Sequence, residues 1–471
     1  MTNTSLKFAG TLPLALMLLS ACTTPPAYQK PAMEVPAAFK ESSLWKAARP
    51  DAAAVPDTWW QLFNDPVLND LQAQVVLGNE TIRGTAAAYQ IARAALASSR
   101  APLLPALSGT ASATQSAVPN GSAQIPNNSI GASASWELDL WGRISGGVSN
   151  ADAKLQASSA DLAAAVLSVQ ALLTQSYFSM RDAEAQGALL TRAVVAYQRS
   201  LELTQNRYKG GVASAADVAQ AQTQLKSTQA QLIEANITRA QLEHAIATLL
   251  GKPAAALTLL RTGTLPQAPG VPVQLPIQLL ERRPDIAAAE RRVAAANAQI
   301  GVAQAAFFPA LTVSASGGWR GPDLGNLINA PNLFWSLGPA LALTLFDNGA
   351  RSAAVDSAKA SVEQAASSYR QTVLTALQEV EDNLVIATSL EEETGLQTDA
   401  LAAAQQNLEI SNNQYKAGTV SYLNVVTAQA TALSAERTLL DVRNRRLAAI
   451  TLLLKNLGGR WDAAAPTISS K

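Results

Sequence analysis

One cysteine and one histidine occur in 471 residues, so the side chains that most often do chemistry at neutral pH are nearly absent. Cys22 closes the stretch LSAC at 19–22, after a leader with Lys7 and an apolar run from Phe8 to Leu19. Small residues before such a cysteine let a signal peptidase seat the backbone in its cleft. The chemistry on offer is acylation of the thiol, with 1–21 as signal peptide and Cys22 as the lipidated mature N-terminus. An ordinary secretory signal with an incidental cysteine is the alternative. A lone cysteine supports neither an internal disulfide nor a cysteine-based metal cluster. His244 sits between the heptad positions Leu242 and Ile246 without a cysteine partner, which supports metal ligation and Ser/His/Asp catalysis poorly. RRPDIAAAERR at 282–292 reads as a capped helix start, Pro284 with Asp285 beside it, carrying surface arginines. The expectation is no cofactor, no metal site and no enzyme.

The charge balance narrows the partners. Thirty-five basic residues meet 35 acidic ones, for a net charge of +0, and no basic patch for nucleic acid is expected. Thr23 follows the cysteine, as in outer-membrane lipoproteins, where an aspartate there would suggest retention at the inner membrane. One acyl chain is a modest tether. Beyond Cys22 no apolar run approaches the ~20 residues a spanning helix needs, so no transmembrane helix is expected.

The elements that must carry these residues are doubled. YKGGVAS at 208–214 returns as YKAGTVS at 415–421, 207 residues later. At the same offset Asp217-Val218 faces Asn424-Val425, and Arg239 faces Arg446. PALSGTASA at 105–113 is answered by PALTVSASG at 309–317. Such a period far exceeds a solenoid repeat of ~20–50 residues, so each half is a complete unit. The domain reading is a signal at 1–21, an extended lipid-anchored tail at 22–58, a first repeat at 59–252, a linker at 253–276, a second repeat at 277–459, and a tail at 460–471.

Helices dominate the reading. Prolines are absent from 127 to 252 and from 340 to 465, in stretches rich in good helix formers. Val218, Ala221, Leu225, Thr228, Leu232, Ala235 and Arg239 recur by threes and fours, as do Val425, Ala428, Ala432, Ala435, Leu439, Val442 and Arg446. That seam predicts coiled-coil packing. Helices over 144–209 and 351–416 would each be ~100 Å long. The repeated heptapeptide falls where each long helix turns back: Lys209 and Lys416 suit a helix C-terminus. Gly211 and Gly418 suit the left-handed position after it, and Ser214 and Ser421 can cap the returning helix. A plain hairpin turn explains these, and leaves Tyr208 and Tyr415 less explained.

Four stretches alternate with period two: 107–115, 129–141, 311–319 and 332–346. Ile130, Ala132, Ala134, Trp136, Leu138 and Leu140 share one face, with serines, Glu137 and Asp139 on the other. Any one of these could be a half-buried strand of a soluble sheet. Together with the leader they match a transmembrane β-barrel. Four strands cannot close a barrel, and an open edge cannot sit in lipid. Two chains would give about eight strands with a lumen filled by side chains. Three would give twelve and room for water, which the polar face favours.

LLERRPDIAAAERRVAAANAQIGVAQAAFFPALTVSASGG at 279–318 closely resembles the outer-membrane efflux protein family, the TolC-like channels. The lipobox, TWWQLFNDPVLNDL at 58–71 and QNRYKGGVASAADVAQAQTQL at 205–225 resemble its NodT-like lipoprotein branch. The resemblance implies a mixed, mostly α fold: a homotrimer with a 12-stranded β-barrel in the outer membrane, four strands per chain, and a long α-helical barrel in the periplasm. It implies the exit duct of a tripartite pump for drugs or other small molecules. The implied partners are outer-membrane lipid, a periplasmic adaptor and an inner-membrane pump of the resistance-nodulation-division type. Export of metal ions, or a type I protein secretion duct, is the alternative. The hairpin tips would form the periplasmic entrance and dock the adaptor. Tyr208, Lys209, Gly211 and Asp217 mark the first tip; Tyr415, Lys416, Gly418 and Asn424 mark the second. Tyr415 and Lys416 match the family's tyrosine-plus-basic pair. Asn424 and Thr427 stand where relatives often carry aspartates, so Asp217 would be the main remaining acid.

Overall fold

The computed structural model describes residues 27–33, 39–40, 58–117, 124–270 and 283–457. Cys22, the leader and the tail after 459 lie outside them. The described residues form helices α1 (Pro66–Gly78), α2 (Glu80–Arg100), α3 (Arg143–Lys209), α4 (Ala215–Leu249), α5 (Pro284–Ala305), α6 (Ala350–Ala417) and α7 (Tyr422–Leu457). The strands are β1 (Ala106–Ala117), β2 (Gln124–Leu138), β3 (Ala310–Gly321) and β4 (Leu333–Ala342). The described residues divide into two compact units, the first drawn from those within 27–32, 88–159 and 288–370, the second from those within 33–87, 160–287 and 371–457.

The first unit holds the sheet. Its order is β1-β2-β3-β4 and every pair is antiparallel. Register carries the period-two pattern across all four strands. Ala134 faces Leu107 on one side and Ala315 on the other, and Ala315 faces Leu337. On the opposite face Ser129 meets Ser112 and Ser316 meets Ser336, each pair hydrogen-bonded at 2.8 and 2.9 Å. The apolar face is bare: Leu107 is 79%, Trp335 77% and Leu337 68% exposed.

Two strands stop short of their sequence patterns. β2 ends at Leu138 and β4 at Ala342, so Leu140, Trp141, Leu343 and Leu345 lie beyond the sheet. The cause at β2 is Asp139. Its carboxylate accepts from Ile144 N at 2.8 Å and Ser145 N at 2.7 Å, satisfying the orphan amides that open α3. Asp139 therefore caps a helix instead of lining a strand, and Glu137 is bound bidentately to Arg143 at 2.9 and 2.7 Å. Trp141 stacks on Phe308 with ring centroids 4.7 Å apart, and its indole N–H donates to Pro309 O at 2.7 Å.

The second unit packs α1, α4, α7 and most of α3 and α6. Asp65 caps α1 by accepting from Val67 N and Leu68 N at 2.9 and 3.1 Å, with Pro66 at the first position. Its other oxygen accepts from Tyr177 Oη at 2.7 Å, which ties the cap to α3. Gly78 and Gly251 bring two helix ends into backbone contact: a Cβ on Gly251 would stand 2.0 Å from Gly78 O. Every heptad position from Val218 to Arg239 and from Val425 to Arg446 is buried or half-buried. One stretch of α3, mean hydropathy 1.4, is long and apolar enough to cross a membrane by composition alone. Leu173, Tyr177, Phe178 and Met180 of that helix are buried side chains, which gives the apolar character a packing cause.

Duplication extends to the ion pairs. Glu184 bonds Arg239 at 3.3 Å, and 207 residues on Glu391 bonds Arg446 at 2.8 Å. Only the first pair is buried, because the segment after α4 lies over it. Arg181 donates to Leu260 O, Arg239 donates to Leu259 O, and Thr262 N donates to Glu184. Arg283, read from sequence as a surface residue, is buried as well. It pairs with Asp285 at 2.7 Å and Glu379 at 3.0 Å and donates to Asn456. Contacts from helices far along the chain cover it.

Candidate functional site: the helical hairpin tips

The two hairpin turns are built alike from their residues upward. Gly211 (φ +73°) and Gly418 (φ +79°) take the left-handed conformation that a Cβ makes costly. Gly211 N donates to Tyr208 O and Val212 N to Arg207 O; Gly418 N donates to Tyr415 O and Thr419 N to Gln414 O. This paired pattern, six-to-one and five-to-two, terminates both long helices in Schellman motifs. Lys209 closes α3, and Lys416 lies in the last turn of α6. Both ammonium groups suit the negative end of a helix dipole.

The returning helices differ. Ser214 Oγ accepts from Asp217 N at 3.1 Å, while Asp217 Oδ2 accepts from Ser214 N at 2.9 Å, a reciprocal capping box. Asp217 is thus engaged by its own turn through one oxygen. Asn424 is exposed, and its backbone N–H donates to Ser421 O at 3.2 Å.

The two tyrosines part company. Tyr208 is 51% exposed, whereas Tyr415 is 5% exposed in a cluster with Tyr197, Leu201, Ala221, Leu225, Tyr422 and Val425. That cluster draws on α3, α4, α6 and α7, so it joins the two hairpins of one chain. Arg207 lies over the Tyr415 ring, 4.7 Å from its centroid, and donates to Lys416 O at 3.3 Å. Tyr415 leans on Tyr422 with centroids 5.3 Å apart, and Tyr422 Oη shares a hydrogen bond with Ser200 Oγ at 3.1 Å. Burial pushes the Tyr422 phenol above its ordinary pKa. Arg207 Nε and Tyr415 Oη are buried without partners, a cost the cluster carries.

Of the residues singled out from sequence, the structure gathers Tyr415 and Lys416 around Arg207. Tyr208, Lys209 and Asp217 stand outside this contact. Arg207, Tyr422 and Ser200 went unread. Their signal was a mismatch: at the repeat offset Arg207 faces Gln414, and Ala215 faces Tyr422, so the echo breaks where the hairpins meet.

The chain combines a four-stranded antiparallel sheet, apolar on one face and polar on the other, with two helices of 67 and 68 residues. The chain belongs to the outer membrane efflux protein family, whose sequence pattern matches residues 72–252 and again 275–459. It is 31% identical over 472 aligned positions to the antibiotic efflux pump outer membrane protein ArpC of Pseudomonas putida, covering 98% of this chain and 96% of that one. It is 32% identical to the cation efflux system protein CusC of Escherichia coli, covering 96% and 98%. Among solved structures, the outer-membrane channel OprN superposes with a TM-score of 0.87 at 30% identity, over 93% of this chain and all of that one. The open state of the Neisseria gonorrhoeae MtrE channel gives 0.83 at 28% identity, covering 93% of this chain and 98% of that one. The protein is an outer-membrane channel component of an efflux system.

Proposed function

We propose that three copies close one twelve-stranded barrel and that the pore so formed is a passive exit duct without catalytic activity. The observation that carries this is the sheet: β1 and β4 each have a free edge among the described residues, while Leu107, Ile130, Trp335 and Leu337 of the apolar face are exposed. In lipid each unpaired backbone group costs several kcal/mol, so the edges need partners, and a second copy offers the matching strand. The polar face of serines and threonines would line a water-filled lumen. Purified protein added to planar bilayers should give discrete conductance steps. Bilayers that take up protein and stay silent would overturn the reading.

The duct would work with a periplasmic adaptor docked at the hairpin tips and an inner-membrane pump of the resistance-nodulation-division type. Its cargo would be drugs or other small molecules; likeness to CusC favours metal ions as the second reading. The two matched stretches, 72–252 and 275–459, support two repeats at 59–252 and 277–459 joined by a linker at 253–276. Cys22 would carry the lipid anchor of the NodT-like branch, a reading checked by radiolabelled palmitate on the native chain and its loss in Cys22→Ser.

The tips would form a gate in which Arg207 on Tyr415 latches one hairpin to the other. Lys209, Lys416, Asp217 and Asn424 would be left to meet a neighbouring chain or the adaptor. A cation over an aromatic ring contributes ~0.5–1 kcal/mol when exposed and ~2 or more when desolvated. Three such latches acting together could hold an entrance shut and still release it on docking.

A further inference from the structure

We propose that the helical unit carries a binding site for a small organic amine, in a cavity walled by α3, α4 and α7 with Asp182 as its anchor. The cavity measures about 320 Å³, the lower end of the ~300–1,000 Å³ typical of small-ligand sites. Asp182 lines it and is only 7% exposed. Its Oδ2 accepts from Gln186 Nε2 at 2.7 Å, while Oδ1 is buried with no donor. A buried carboxylate oxygen left so is costly, and the missing partner is a cationic N–H.

The surrounding charges do not supply it. Glu234 faces the cavity from α4. From α7, Asp441 raises the Asp182 pKa and Arg437 lowers it. Arg437 donates instead to Gln231 Oε1 at 3.1 Å, and Asp441 has Arg445 at 3.8 Å on its own helix. Two acids and two arginines, each arginine engaged elsewhere, therefore accompany Asp182, and with its own carboxylate counted the local balance is negative and favours a positive guest.

The walls select its kind. Leu190 and Leu242 line the same cavity and would give a bare ion no ligands. Among the described residues no three acidic, His or Cys side chains are grouped to hold a metal. An ammonium on a short apolar stem satisfies both surfaces at once: its N–H groups reach Asp182 and its stem lies on the leucines. Burial raises the Asp182 pKa to about 6, so the anchor is ionised at neutral pH and neutral in mild acid.

The test is calorimetric titration of the purified full-length protein with phenethylamine, and with phenethyl alcohol as the uncharged counterpart. The amine should bind at neutral pH and the alcohol should not. Amine affinity should fall about tenfold between roughly pH 7.5 and pH 5, as Asp182 takes up its proton. Asp182→Asn should abolish amine binding, and Ala235→Phe, which fills the cavity without touching a charge, should do the same. Equal binding of the amine to Asp182→Asn, equal binding of the alcohol, or no amine binding to the native chain would each overturn the site. None of these results depends on whether the protein conducts.

Discussion

Asp182 and Glu184 lie two residues apart on α3 and answer pH in opposite senses. Burial raises the Asp182 carboxyl to about 6, so the folded state holds its proton more tightly than the unfolded chain. That contribution to stability is complete below the unfolded pKa near 4 and is lost as pH rises through about 6. Asp182→Asn should therefore raise the apparent Tm at neutral pH, by an amount worth roughly 1–3 kcal/mol, and the advantage should shrink towards pH 4. Glu184 is pushed up by burial, but Thr262 N, Arg181 and Arg239 outweigh that and hold it below its ordinary value. Its contribution is present above the unfolded pKa and is lost as pH falls through the lowered one. Glu184→Gln leaves the buried Arg181 without its carboxylate and takes one of two from Arg239, which keeps Glu243; it should cost about 3–5 kcal/mol, read as a lower denaturation midpoint. An unchanged midpoint would mean that the segment over this pair is held by other contacts.

At the scale of elements, local rules made much of the fold legible. Proline-free stretches gave α3 and α6 to within a residue at each end, and the recurrence of Val218, Ala221 and Leu225 gave α4 and α7 as returning helices, because capping and heptad packing are short-range. Alternation gave the four strands but overran two of them. Leu140 and Leu343 keep the period, and nothing in a two-residue pattern shows that Asp139 will turn inward to cap α3. Arg283 was misread for a related reason: its partners Glu379 and Asn456 lie 96 and 173 residues away. The same distance hid Arg207, whose ring partner is Tyr415 on the other hairpin. Arg207→Ser combined with Tyr415→Leu should loosen the tips and raise single-channel conductance. Tyr415→Phe alone keeps the ring and should change little. If the double variant conducts like the native chain, the contact is packing and no latch.

For the whole molecule the decisive feature is a sheet that is finished on its faces and unfinished at its edges. A charge on the apolar face tests the face. Leu337 sits in the middle of β4 on that side, and Arg there costs ~2–4 kcal/mol at a bilayer midplane, met three times in the proposed trimer. Leu337→Arg should leave little assembled protein in outer-membrane fractions, whereas Ser336→Arg, on the polar face, should assemble. The edges are tested by joining them. In a Cys22→Ser background, single cysteines placed along β1 (Ser108, Thr110, Ser112) and β4 (Phe334, Ser336, Gly338) can be combined in pairs and oxidised in intact membranes. The account predicts that at least one pair links neighbouring chains into a ladder that ends at three. Monomers throughout, or a ladder ending at any other number, would contradict it.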